Sequence, residues 1–366
     1  MLDSSHQRSH SWNAAPLATP QALSALLDAV SVKSQQRLPA GGLQLLTGEC
    51  RPTEPSEESA LNSAISRLRD FPGPKHTTNC VSQCAYTTRT GVDTDVPKKV
   101  NQDSFIIKSD LQAVPGQYLF AVCDGHGPAG HLVSQLIKAK LGNFLEASLP
   151  QDPSSESELR RALQEAIRKT VQAVHEAPID LKYSGSTLTC VLIRGAWLVT
   201  ANLGDSRAEL GHTRRGWALH ELTRDHKPDL PEEESRIRSC GGRVEPIRDA
   251  LGRPVSVSRV WLAAQNVPGL AMSRSVGDKL AASVGVISEP EFTHYSLQSH
   301  DKFLILATDG LWEFVTSHEA VNIVRNAWET TTVDDACDWL VDTAVSRWTR
   351  LGSSVDDITV LVIFFR

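Results

Sequence analysis

Four acidic stretches of this 366-residue chain stand where apolar runs end or loops begin: Asn101-Gln102-Asp103, Asp124-Gly125-His126-Gly127, Asp309-Gly310 and Asp356-Asp357. An acid followed by glycine sits on backbone that is free to turn. Several such acids, distant in the chain, can meet at one edge of a sheet. Carboxylates and backbone carbonyls are hard oxygen ligands that suit Mg²⁺ or Mn²⁺ better than zinc. Taken singly, each stretch reads more readily as a turn or a helix cap than as a ligand. Together they ask for more than turns provide.

The elements that must position these acids follow from hydrophobic spacing. A strand is expected over 118–123, ending at the Asp124-Gly125 turn signal. Leu132, Val133, Leu136, Ile137, Leu141 and Leu145 recur at helical spacing, and a second helix over 157–176 carries Leu159, Leu163, Ile167, Val171 and Val174 on one face. Runs over 187–193 and 197–203, separated by Arg194-Gly195-Ala196, read as a hairpin. Further strands are expected over 303–307 and 358–365, around helices at 318–327 and 333–348. Hairpin-joined strands with paired helices predict an α+β sandwich rather than a parallel βαβ sheet. Residues 1–75, punctuated by Pro16, Pro20, Pro39, Pro52 and Pro55, read as a flexible or loosely docked extension with short helix-compatible pieces at 20–32 and 57–69. Residues 76–366 then form the folded domain.

Bulk properties exclude some functions. Lys plus Arg number 37 against 43 Asp plus Glu, a net charge of −6, so no basic footprint points to nucleic acid or an anionic membrane surface. No apolar run approaches the roughly 18–20 residues of a membrane-spanning helix. The N-terminal 45 residues, rich in Ser, Ala and Leu, weakly resemble an organelle transit peptide, but Asp3 and Asp28 interrupt the pattern. Seven scattered cysteines, with only Cys80 and Cys84 close together, form no zinc pattern and read as reduced thiols. An intracellular protein, cytoplasmic or nuclear, is the expectation, and a monomer.

Eight stretches, in order, are similar to the protein phosphatase 2C (PPM-type) family: NQDS (101–104), FAVCDGHG (120–127), SGST (184–187), NLGDSR (202–207), LTRDHKP (222–228), GLAMSRSVGD (269–278), FLILATDGLWE (303–313) and DDITVLVI (356–363). The resemblance implies two stacked antiparallel sheets flanked by helices on both sides, and hydrolysis of phosphoserine and phosphothreonine in phosphorylated proteins. It implies two Mg²⁺ or Mn²⁺ ions, with Asp124 bridging both, the Gly125 carbonyl on one, and Asp309 and Asp356 on the other. Asp205 and Glu313 match positions that, with Asp309, hold a weaker third ion in some members. His126 matches the proposed general acid; the lesser alternative is a structural histidine that only orients a neighbouring ligand. The chemistry agrees: a water between two cations about 3.5–4 Å apart loses a proton near neutral pH and attacks phosphorus in line. No cysteine stands in the Cys-x5-Arg spacing of a thiolate phosphatase.

Three departures stand out. Gln102, beside Asp103, replaces the family's usual Glu; it offers a carbonyl oxygen without the charge, so the expectation is a second ion held more weakly, or a site balanced by Asp103 acting through water. Lys98 stands where many members place the phosphate-binding arginine, and lysine cannot make the bidentate fork. Asp357 stands where Asn is usual, and its added charge could raise metal affinity or perturb the ligands. Ser184–Thr187 reads as a tight turn, Asp225–Pro228 as a structural loop, and Ser273-Arg274 with Asp278 as a loop lock. The stretch 229–288, with a helix over 231–239 and a loop over 243–259, corresponds to the family's substrate-shaping flap. The alternative to an active phosphatase is a scaffold of the same fold that binds phosphoproteins without turnover.

Overall fold

The computed structural model describes residues 80–92, 100–153, 155–351 and 354–366. The extension over 1–75, its two helix-compatible pieces, and Lys98 lie outside the described residues.

Two five-stranded sheets carry the fold. One runs β1 (Val81–Arg89), β16 (Ile358–Phe365), β15 (Asp301–Ala307), β8 (Arg207–His212) and β9 (Ala218–Glu221). The other runs β14 (Glu291–Ser296), β7 (Trp197–Leu203), β6 (Leu188–Arg194), β3 (Gln117–Cys123) and β2 (Ser104–Lys108). Every pairing in both is antiparallel. Alternate side chains of a strand point to opposite faces, and here both faces are buried. On β3, Tyr118, Phe120 and Val122 join the core between the sheets, while Leu119, Ala121 and Cys123 face helices α1 (Gly130–Ser148) and α2 (Glu156–Glu176). On β16, Leu361, Ile363 and Phe365 enter the inter-sheet core, while Ile358, Val360, Val362 and Phe364 pack with α6 (Ser317–Thr330) and α7 (Val333–Leu351). Burying each large apolar side chain contributes about 1.5–3 kcal/mol, which is why these strands read as continuous apolar runs. The layering is helix, sheet, sheet, helix, as expected from the family resemblance.

Local signals set the helices. On α2 the buried positions Leu159, Leu163, Ile167, Thr170 and Val174 form one stripe. Thr316 and Glu319 close a capping box on α6, and Arg347 of α7 grips Glu319 with two bonds of 2.8 and 2.6 Å. The helix over Pro231–Ser239 (α3) forms as expected. The stretch 243–259, however, is no loop: β10 (Gly242–Arg248), β11 (Pro254–Leu262) and β12 (Gln265–Leu270) form a small antiparallel sheet. Few positions on its strands are fully buried, most being half-buried or exposed, so the period-2 signal is weak. Ser184–Thr187 is likewise more than a turn, since β5 (Gly185–Ser186) pairs with both β4 (Gly125–His126) and β13 (Val276–Gly277).

One carboxylate sits inside this frame without full partnership. Glu209 of β8 is 2% exposed; its Oε1 accepts the Ser317 hydroxyl at 2.6 Å, and Oε2 has no hydrogen-bond partner. Burial, against the bond from Ser317 and the charge of Arg207, pushes its carboxyl up to about 7 from 4.5. The folded chain therefore binds the extra proton, and stability falls as pH rises from about 4.5 to 7 and stays lower above that. Glu209→Gln is expected to flatten that slope and to gain about 1–3 kcal/mol at alkaline pH, read from urea unfolding across the pH range. An unchanged slope would refute this account.

Candidate active site

Strand register brings the acids to one edge. Ser104 of β2 pairs with Cys123 of β3, so Asp103 and Asp124 leave adjacent strand ends. In the facing sheet Ala307 pairs with Val360, and the Thr308 N–H donates to the Thr359 carbonyl at 3.1 Å, so Asp309 leaves β15 beside the start of β16, where Asp356 and Asp357 stand. The β7–β8 turn supplies Asp205, 3% exposed. A Cβ on Gly125 would lie 2.5 Å from the carbonyl oxygens of both Gln102 and Gly130, so only glycine fits between these two segments. Glu313 follows the short helix α5 (Asp309–Trp312); its N–H donates to the Asp309 carbonyl at 2.8 Å and its side chain is exposed.

The crowding is visible in the acid–base balance. The carboxyls of Asp124 and Asp309 act directly on each other's acid–base balance. Burial first, then the charges of Asp309, Asp103 and Asp356, hold the Asp124 carboxyl well above its usual range. Burial, with Asp205 and Asp356, pushes Asp309 up to about 7. Asp103 is also raised: burial and the charges of Asp357 and Asp356 outweigh the bonds from Thr359 and Thr308. Among the described residues no three His, Cys, Asp or Glu side chains stand in finished ligand geometry around one point. The fit to a hard cation rests instead on the donors. Gln102 Oε1, Asp103 Oδ1 and Asp205 Oδ1 are buried acceptor oxygens without a hydrogen-bond partner, an arrangement costly unless a positive charge or donor meets them. An all-oxygen, mainly anionic set suits Mg²⁺ or Mn²⁺.

The deciding observation is a comparison: the family model described as Protein phosphatase 2C matches residues 97–350. The chain belongs to the protein phosphatase 2C family.

Members of this protein phosphatase 2C family are protein serine/threonine phosphatases. Among similar curated proteins are Probable protein phosphatase 2C 64 of Oryza sativa subsp. japonica, 37% identical over 276 residues, covering 73% of this chain and 63% of that protein. Probable protein phosphatase 2C 34 of Arabidopsis thaliana is 36% identical over 286 residues, covering 73% of this chain and 78% of its own. A solved serine-threonine phosphatase 2C from Toxoplasma gondii shares the fold, with a TM-score of 0.66 at 24% identity over 82% of this chain and 98% of that one.

Beyond the expected acids, this protein phosphatase 2C chain brings in residues that sequence reasoning set aside. Lys227, read within a structural loop, places its ammonium 2.6 Å from Asp205 Oδ2. The only advance signal was a lysine within the ordered LTRDHKP stretch. Asp278 does not lock the loop with Arg274: Arg274 and Ser273 both bond Glu233, whereas Asp278 Oδ2 lies 2.7 Å from His126 Nε2. Burial lowers the His126 pKa, but the charge and bond of Asp278, with Asp205 and Asp309 beyond, more than offset it, so the ring's pKa lies above the ordinary value. Asp357 tightens the scaffold: its two oxygens accept the Gly91 and Gln102 amides at 2.7 and 2.9 Å. Cysteine chemistry finds no support: the six described cysteines are free, and burial pushes the Cys84 and Cys190 thiols up to about 12. Among the described residues no helix is long and apolar enough to cross a membrane.

Proposed function

We propose that this chain hydrolyses phosphoserine and phosphothreonine in proteins, with Mg²⁺ or Mn²⁺ held by its aspartate cluster. The observation that carries the reading is the crowd of raised carboxylates and unpartnered buried oxygens at converging strand ends. Asp124, the Gly125 carbonyl, Asp309 and Asp356 would hold two ions, with Gln102 and Asp103 beside the second. Asp205 and Glu313 would serve a weaker third, competing with the Lys227 ammonium that already neutralises Asp205. Divalent cations bound there lower the pKa of water and offset phosphoryl charge.

The chain's own residues do the rest. Asp103 is fixed by the Thr308 hydroxyl at 2.9 Å, and Asp124 by its N–H donating to Thr187 Oγ1 at 2.9 Å, so the cluster is held by backbone and hydroxyls rather than by flexible stems. Asp357 keeps the Gln102 segment against β16. The departing serine or threonine oxygen is strongly basic, and His126 supplies its proton as general acid. Lys98 would meet the substrate phosphate as a point charge.

Purified protein assayed on a phosphothreonine peptide is expected to turn over with Mn²⁺ or Mg²⁺ and to stop with chelator. Turnover that persists in chelator would overturn the metal assignment. No turnover under any metal, with the protein shown to be folded, would favour the phosphoprotein-binding scaffold.

A further inference from the structure

His126 is gripped at one nitrogen only. Nε2 lies 2.7 Å from Asp278 Oδ2, while Nδ1 is buried and has no hydrogen-bond partner. The two residues are 152 positions apart in sequence and meet because β4 and β13 both pair with β5. Asp278 is itself held on several sides. Its N–H donates to the Ser184 carbonyl at 2.9 Å, and its Oδ2 accepts the Ser275 hydroxyl at 2.6 Å. Its backbone is left-handed, φ 44 and ψ 50, at the start of the short helix α4 (Lys279–Ala282). A Cβ on Gly185 would lie 2.1 Å from Asp278 Oδ2, so the bare backbone at Gly185 is what lets this carboxylate reach the ring. A left-handed, 3% exposed aspartate is a costly arrangement for a mere helix start; Asp278 makes no side-chain capping bond to that helix.

We propose that Asp278 is the positioning residue of His126. A carboxylate can only accept, so the bond requires the proton on Nε2 and leaves Nδ1 as the one ring nitrogen able to give a proton to substrate. As the P–O bond to serine or threonine breaks, the electron pair stays on the departing oxygen and takes the Nδ1 proton. The ring then remains neutral with its Nε2–H still on Asp278. This inference rests on the reading of His126 as general acid.

A leaving-group comparison tests it with the metal-loaded full chain. A phosphothreonine peptide needs a proton on its leaving oxygen, whereas p-nitrophenyl phosphate expels a stable phenolate that does not. Asp278→Asn keeps the size and shape of the side chain, and Asn, like Asp, tolerates left-handed backbone, so the fold is expected to survive, checked by melting. Its kcat on the peptide is expected to fall roughly 10- to 100-fold, a part of the about 10²–10⁴-fold that general acid–base catalysis contributes. KM and the aryl phosphate rate should stay within about threefold. Ser275→Ala, which retains the carboxylate but frees it, should give a smaller loss with the same selectivity, and adding Asp278→Asn to His126→Gln should cost nothing further. Equal losses on both substrates, or an additional loss in the double variant, would overturn the positioning role. Peptide-selective loss in His126→Gln but none in Asp278→Asn would overturn it while leaving His126 as general acid. No peptide-selective loss in His126→Gln would overturn the general-acid reading itself, and this inference with it.

Discussion

Replacing Asp124 or Asp309 with asparagine is expected to lower phosphopeptide turnover by roughly 10³-fold or more. The cations at such a site contribute several kcal/mol to the transition state, and each 1.36 kcal/mol is about tenfold in rate. Both side chains sit in the carboxylate crowd, and neither can be replaced by a neutral amide without loss of anionic charge. The same substitutions should have the opposite effect on stability in chelator. Burial and neighbouring aspartates disfavour the charged forms of both groups, so removing one charge relieves repulsion within the folded state. In chelator at pH 8 the asparagine variants should melt higher than the parent. In saturating Mn²⁺ the order should reverse, because ligand binding stabilises only the chain that binds. Activity within a few-fold of the parent would sink the assignment, and an unchanged order of melting temperatures would sink its electrostatic basis.

Glu233→Gln is expected to lower the unfolding free energy by about 3–5 kcal/mol, the cost of breaking a buried ion pair from one side. Glu233 is fully buried. It accepts bonds from Arg236 and Arg274, both at 2.6 Å, and from the Ser273 hydroxyl at 2.5 Å. Burial alone would raise its pKa, but those bonds outweigh it and hold the carboxyl well below the usual range. Because its folded pKa is depressed, the stabilisation is present above the unfolded value near 4.5 and is lost as pH falls toward the folded value. The gap between parent and variant in urea unfolding should therefore be widest at neutral pH and narrow in acid. A neutral-pH difference under 1 kcal/mol would show that Arg236 and Arg274 find other partners. The network joins α3 to the Ser273–Arg274 segment that leads into Asp278, so a loosened anchor should also blunt turnover.

Much of the molecule was legible before folding. β3 and β16 announce themselves because both faces of each are buried, which writes an unbroken apolar run into the chain. The helices announce themselves because one stripe of each is buried. The acids Asp103, Asp124, Asp309 and Asp356 could be singled out because each lies at a strand end or in a turn, a local event with a local signal, whereas Asp205 came only from the family resemblance of the NLGDSR stretch. The flap sheet reads as a loop in the sequence because its strands lie on a small sheet with few fully buried positions, where burial imposes little alternation.

What the sequence by itself determined was therefore most of the core elements, the acids that are candidate oxygen ligands, and the class of chemistry. Tertiary structure alone decided which distant groups meet: Asp278 on His126, Lys227 on Asp205, Arg274 on Glu233, and Asp357 on two backbone amides. Strand and helix periodicities record which face a residue shows to the core. A hydrogen bond between side chains far apart in sequence depends on where packing delivers both ends to within a fraction of an ångström, and no spacing along the chain encodes that.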